Sequence, residues 1–175
     1  MAIGSLAHLA LELDIDNIED LRVESADSPD SHLATALELA ERFRCDSAFA
    51  NVRSAECERE VPFIIKIGVT TLHGIADLVG ADFVLDYKTD SEMNPEEHRF
   101  QLWAYAKALG KSKAYIAYLR HGVLHEFDQM NTNDSNLAAE RLIQGIKDGF
   151  YKASPAKEAC GNCQYSEVCI DRFPH

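Results

Sequence analysis

Two carboxylates and an ammonium sit where a folded chain tolerates them least. Asp77 and the pair Asp86-x-Lys88 lie in or beside runs of Ile, Val, Leu and Phe within the stretch from Gly74 to Asp90. A strand interior holds such charges when they serve one another or an ion. Phe83-Val84-Leu85 is apolar without alternation, which suits a central strand covered on both faces. Asp86 and Lys88 then point to one side, about 7 Å apart at Cα. Thr70 to Val79 reads as the preceding strand, turned back by Gly80-Ala81. A two-residue turn sets Val79 against Asp82 and Asp77 against Val84, making Asp77 and Asp86 diagonal neighbours about 7–8 Å apart. A one-residue slip would send Asp77 to the opposite face. A structural ion pair and a divalent-metal site both account for these residues.

The surrounding pattern is α/β. Helices are predicted over Ile3–Leu13 and Ser31–Arg44, separated by an acidic link from Asp14 to Asp30, with a short helical continuation over Ser47–Val52. Strands follow at Val61–Ile67, Thr70–Val79 and Phe83–Thr89. Asn94 as cap, Pro95 at the first position and Gly110 at the end mark the next helix. Strands Ala114–Arg120 and Val123–Phe127 and a helix over Asp134–Phe150 complete the order. A strand–helix–strand crossover makes parallel neighbours, so the sheet is expected to be mixed. Residues 1–175 read as one domain, with 155–175 as a cysteine-bearing tail. No apolar run is long enough to span a bilayer and no signal-peptide pattern is present, so the expectation is a cytoplasmic protein without a membrane partner.

Three further features align with the charged strands. His8 lies in Gly4-Ser-Leu-Ala-His8, Glu60 enters the first strand at Glu60-Val-Pro-Phe, and Gln101 and Tyr105 are four apart on one helix face, which His98 shares. Singly, each has an ordinary reading: a core histidine, a strand-flanking charge, a solvated helix face. Together with Gly74-Ile-Ala-Asp77 and Asp86-Tyr-Lys88-Thr-Asp they resemble the RecB-type branch of the PD-(D/E)XK nucleases, the Asp-Tyr-Lys-Thr variant being most similar to RecB- and AddA-type helicase–nucleases. The resemblance spans His8 to Tyr105. It implies a restriction-endonuclease-like core, a central mixed sheet flanked by helices, and Mg²⁺- or Mn²⁺-dependent hydrolysis of DNA. In the implied site Asp77, Asp86, His8 and the Tyr87 backbone carbonyl hold the metal. Lys88 orients or deprotonates water, Gln101 and Tyr105 position the strand or the site, and Glu60 is accessory. The chemistry is coherent: Mg²⁺ takes oxygen ligands, and an imidazole tilts the preference toward Mn²⁺.

Cys160-x-x-Cys163-x₅-Cys169 has metal-ligand spacing and is similar to the C-terminal part of the iron–sulfur staple of AddB-type and CRISPR-associated nucleases. The resemblance implies a structural 4Fe-4S cluster clamping the tail onto the first helices. Either Cys45 or Cys57 supplies its fourth thiolate, or that ligand was lost with a segment upstream of His8, where this sequence has no cysteine, or the site no longer holds a cluster. Cys57 reads equally as a small buried hydrophobe.

The net charge of −12 argues against a free-standing, high-affinity DNA binder. A nuclease domain fed single strands or ends by a helicase module in cis or trans reconciles charge and motif, and the start of the chain close to His8 points the same way. Lys66, Lys107, Lys111, Lys113, Arg120 and Lys152 are candidates for a modest basic rim. A free-standing CRISPR-associated exonuclease and an inert DNA- or protein-binding module of the same fold are the alternatives.

Overall fold

The computed structural model describes residues 2–53, 56–127, 133–150, 153, 155, 160–161, 163 and 165–173. The chain forms two compact units, Met1–Ala139 and Glu140–His175. The first carries α1 (Ile3–Glu12), α2 (Ile18–Glu24), α3 (Asp30–Cys45), a 3₁₀ turn (Ser47–Phe49) and α4 (Ala50–Arg53). It continues with β1 (Glu58–Ile67), β2 (Thr70–Val79), β3 (Phe83–Lys88), α5 (Pro95–Leu109), β4 (Lys113–Tyr118) and β5 (Val123–Phe127). The division between the units falls within α6 (Asn133–Lys147).

Every expected element is present, β2 and β5 with the expected ends and the others with ends shifted by up to three residues, and α2 is an addition inside the stretch read as a link. It forms because the Asn17 side chain accepts from the Asp20 amide, Glu19 and Asp20 sit at the positive end, and Leu21 is fully buried. At 7 residues it is too short for apolar periodicity to announce it. Asn94 does not cap α5 through its side chain. Its side-chain amide donates to Glu97 Oε1 at 2.6 Å, a charge-assisted bond within the first turn. Gly110 ends α5 at φ 66°, as its sequence position suggests.

The sheet order is β1-β2-β3-β4-β5, antiparallel except for β3 against β4, which are joined through α5. Phe83, Leu85 and Tyr87 share a core with Leu6, Leu33, Phe43 and Phe49 from the α1–α4 region. The alternate residues Asp86 and Lys88 meet α5 through Tyr105 and Gln101. Cover on both faces is the reason Phe83-Val84-Leu85 carries no polar alternation.

The β2–β3 register differs from the expected one. Val79 pairs with Val84 and Leu78 with Leu85, so four residues rather than two lie between the last paired positions. Asp82 is drawn away because its carbonyl accepts from the Ser112 and Lys113 amides, while Gly80 N–H donates to the Phe83 carbonyl at 3.0 Å. A Cβ on Gly80 would lie 2.2 Å from the Phe83 ring, so the turn requires glycine. The shift is two residues, which preserves side-chain parity. The same register continued by one step sets Asp77 directly opposite Asp86 instead of diagonal to it.

Candidate active site

The strands part at Asp77. Tyr87 N–H donates to Asp77 Oδ2 at 2.8 Å, so a side-chain carboxylate takes the place a β2 carbonyl would hold in a continued ladder. On the other side of β2, Glu60 stands across from Asp77 in the β1 register, in the left-handed region at φ 49°. Three acids, Glu60, Asp77 and Asp86, thus fall at matching positions of three neighbouring strands.

Helix α1 closes over this opening. A Cβ on Gly4 would lie 2.8 Å from Thr89 Oγ1, so glycine one turn before His8 lets the helix approach the end of β3. His8 Nε2 bonds the Tyr87 carbonyl at 2.8 Å, and Nδ1 lies 3.4 Å from Asp77 Oδ2. Both ring nitrogens therefore face oxygen acceptors. Burial pushes the His8 pKa down, but the Asp77 hydrogen bond and charge, with Asp86 and the Tyr87 carbonyl, outweigh it and leave the pKa raised. Desolvation and the charges of Asp77 and Glu12 raise the Glu60 pKa.

Behind this wall lies a closed ring of polar contacts. Lys88 Nζ is 2.6 Å from Asp86 Oδ2 and donates to Gln101 Oε1 at 3.1 Å. Gln101 Nε2 donates to the Tyr105 hydroxyl at 2.7 Å, which in turn donates weakly to Asp86 Oδ1 at 3.4 Å. Asp86 is 1% exposed, and its Oδ2 meets Lys88 as an ion pair without hydrogen-bond alignment. Burial and Asp77 raise the Asp86 pKa, partly offset by Lys88.

The predicted residues therefore divide into two layers. His8, Glu60, Asp77, Tyr87 and Lys88 line an open cleft of about 490 Å³, whereas Asp86, Gln101 and Tyr105 stand behind Lys88. Glu12 and Asp90 also line the cleft; both lie within the motif segments, but neither stands out there as a site residue. His98 leaves the Gln101 group and bonds Asp90 Oδ2 at 3.1 Å. Among the described residues no three His, Cys, Asp or Glu side chains are gathered around a vacant ion position; the site's groups pair with one another.

Among the described residues the expected basic rim loses Lys111 and Lys113. Lys113 is in register with Phe83 and Tyr118 with Lys88, so Lys111 and Lys113 lie at the far end of β3, about 17 Å from Lys88. Lys113 pairs with Asp82, Lys111 with the Ala81 carbonyl, and Lys107 with Asn136. Arg120 does reach the cleft's edge, donating to the Thr89 carbonyl at 2.6 Å; Lys66 is exposed on β1, and Lys152 lies outside the described residues.

All five cysteines are free thiols. Cys45 bonds Glu41 Oε1, which raises its pKa, and burial raises that of Cys57; neither environment favours a thiolate. In the second unit the Tyr165 and Phe173 amides donate to Cys163 Sγ at 3.4 Å and Cys160 Sγ at 3.3 Å.

An antiparallel hairpin and a crossover strand that part over opposed carboxylates, with a lysine two residues on, define a restriction-endonuclease-like α/β nuclease fold. The chain belongs to the PD-(D/E)XK nuclease superfamily, which it matches over residues 2–170. Among solved structures, the SSO0001 protein aligns with 99% of this chain and 87% of its own at 17% identity and a TM-score of 0.57. A Eubacterium rectale protein provisionally named an exonuclease aligns with 99% of this chain and 74% of its own at 13% identity and a TM-score of 0.61. At these identities the likeness is one of fold. No curated protein sequence matches significantly.

Proposed function

We propose that the protein is a Mg²⁺- or Mn²⁺-dependent deoxyribonuclease that acts on single strands or ends. The observation carrying this reading is His8 with both ring nitrogens against oxygen acceptors, beside the opposed Asp77 and Asp86. Such a position is built to hold positive charge, and its donors (two carboxylates, a carbonyl and one imidazole) suit Mg²⁺ or Mn²⁺. His8, Asp77, Asp86 and the Tyr87 carbonyl would hold the ion, which would supply Lewis acidity to a phosphate oxygen.

Lys88 is the residue nearest the chemistry among those of the ring. Its ammonium, aimed by Asp86 and Gln101, orients a water or relays its proton and offsets charge on the phosphate. Gln101 and Tyr105 are positioning residues acting through Lys88 and Asp86. The exonuclease name of one fold neighbour supports an end-directed mode. The net charge of −12 supports delivery of the strand by a helicase module in cis or trans, in recombination or repair. We extend the proposal to one nuclease domain over residues 1–175 and to a metal or 4Fe-4S cluster on Cys160, Cys163 and Cys169, whose spacing suits it and two of whose sulfurs accept backbone amide hydrogen bonds of the kind that cluster ligands receive.

Labelled single- and double-stranded DNA, and RNA, incubated with Mg²⁺ or Mn²⁺ test the catalytic reading. Wild type cleaves DNA, chelator stops it, and Asp86→Ala and Lys88→Ala each lose activity while remaining folded. Absence of metal-dependent cleavage, or full activity in both variants, would defeat it. Iron, sulfide and zinc analysis after anaerobic purification tests the tail.

A further inference from the structure

The cleft presents a charge problem that the family match leaves open. Its walls carry Glu12, Glu60, Asp77 and Asp90, and the anticipated Lys111 and Lys113 lie at the far end of β3. A polyanionic strand needs a cationic group close by. A second cavity, of about 170 Å³, shares Tyr87 with the cleft and is lined by Arg44, Arg53 and Arg59 together with Phe43, Leu78 and Tyr87. Tyr87 lines both cavities and Arg59 lies 3.4 Å from the carbonyl of Glu12, which lines the cleft, so the two adjoin.

The three guanidiniums differ in how fully they are engaged. Arg44 is tied down: Nη2 donates to the Ala10 and Ile15 carbonyls, and Asp14 and Glu41 lie within 4 Å, at 3.6 and 3.9 Å. Arg53 donates through Nη1 to the Phe43 and Asp46 carbonyls, and among the described residues no carboxylate pairs with it. Arg59 is loosely held, 3.4 Å from the Glu12 carbonyl and 3.7 Å from an exposed Asp14 oxygen. A guanidinium has five donors in a planar fork that matches a phosphate bidentately, and a low-dielectric floor strengthens that interaction.

We infer that Arg53 and Arg59 bind a phosphate group of the nucleic-acid strand in this cavity, next to the nuclease cleft; the inference rests on the reading proposed above. The pair supplies the local cation that an acidic protein needs to retain its substrate.

The test is anisotropy of a 3′-labelled oligothymidine of about 12 nucleotides, with a 5′-phosphate or a 5′-hydroxyl, in chelator so that no cleavage intervenes. Arg53→Gln/Arg59→Gln weakens binding about tenfold and flattens the slope of log K against log salt by about 0.7 for each phosphate no longer neutralised. Arg59→Lys keeps the slope, and Lys113→Gln, at the far end of the sheet, binds as wild type. Because Arg53 also holds the carbonyls of Phe43 and Asp46, thermal melts accompany each variant. Arg59→Gln alone, with a side chain 44% exposed, carries the test if the double variant unfolds, with about a threefold weakening. Weakening confined to the 5′-phosphorylated strand assigns a terminal phosphate; equal weakening for both assigns an internal one. Wild-type affinity and slope in Arg53→Gln/Arg59→Gln, or in Arg59→Gln where it stands alone, overturn the inference. Metal-dependent cleavage abolished by Lys88→Ala would meanwhile leave the nuclease reading intact.

Discussion

Gln101→Leu separates a positioning network from a merely structural one. Gln101 accepts from Lys88 Nζ at 3.1 Å and donates to the Tyr105 hydroxyl at 2.7 Å. Leucine nearly conserves the volume, so the change removes two hydrogen bonds without opening a large cavity. The bond from a charged lysine is worth about 1.5–3 kcal/mol and the neutral one about 1 kcal/mol. Lys88 keeps Asp86 as its ion-pair partner, and Tyr105 keeps its long bond to the same carboxylate, so the folded state recovers part of this. We expect a stability loss of about 1 kcal/mol, seen as a melting shift of about 2–4 °C. Catalysis lacks that recovery, because an ammonium free to swing toward Asp86 no longer faces the water. If the charged bond is fully expressed in the transition state, single-turnover cleavage slows about 10- to 150-fold, with substrate affinity unchanged. Tyr105→Phe, which loses a 3.4 Å bond and the acceptor of Gln101, should slow cleavage less, and the double variant should be less than additive. Cleavage within twofold of wild type in Gln101→Leu would refute the positioning role. So would a loss fully explained by weaker DNA binding.

Other perturbations probe the frame around the site. In chelator, the raised His8 pKa makes the imidazolium stabilising: its contribution is complete below pH 6.5 and is lost as pH rises through the folded value. Wild type should therefore lose melting temperature over that window relative to His8→Gln, and parallel pH profiles would contradict the ion-pair geometry. Gly80→Ala drives a Cβ to 2.2 Å from the Phe83 ring and should cost about 1–3 kcal/mol in denaturant titrations; an unchanged midpoint would mean the turn relaxes freely. Phe49, fully buried in the core beneath β3, should cost about 3–5 kcal/mol on truncation to alanine, and a loss below about 1 kcal/mol would show that this core is not close-packed.

Much of this architecture is legible in residue order. Pro95 and Gly110 bracket α5 because a missing amide and a left-handed φ are local requirements that few residues meet. Strand β3 is legible from its apolar start and β2 from its apolar end and the glycine after it, and the acid–acid–lysine pattern with His8, Gln101 and Tyr105 marks the candidate site. The capping of α2 by Asn17 was written just as locally, but over too few residues to stand out. The β2–β3 register depended instead on Asp82, which is claimed by the start of β4 some 30 residues later.

Sequence alone determined the mixed α/β order, the parity that keeps Asp77 and Asp86 together, and the identity of the charged groups, because each follows from local conformational preference or from the cost of burying charge. The layering was decided only by tertiary structure. Lys88 fronts a cleft while Asp86, Gln101 and Tyr105 brace it from behind, the lysines 111 and 113 are carried to the far end of β3, and three arginines from α3, α4 and β1 converge beside Tyr87. Those outcomes depend on which strand ends lie side by side and how closely α1 approaches Thr89, and such long-range register is set by packing across the whole sheet rather than by any one segment.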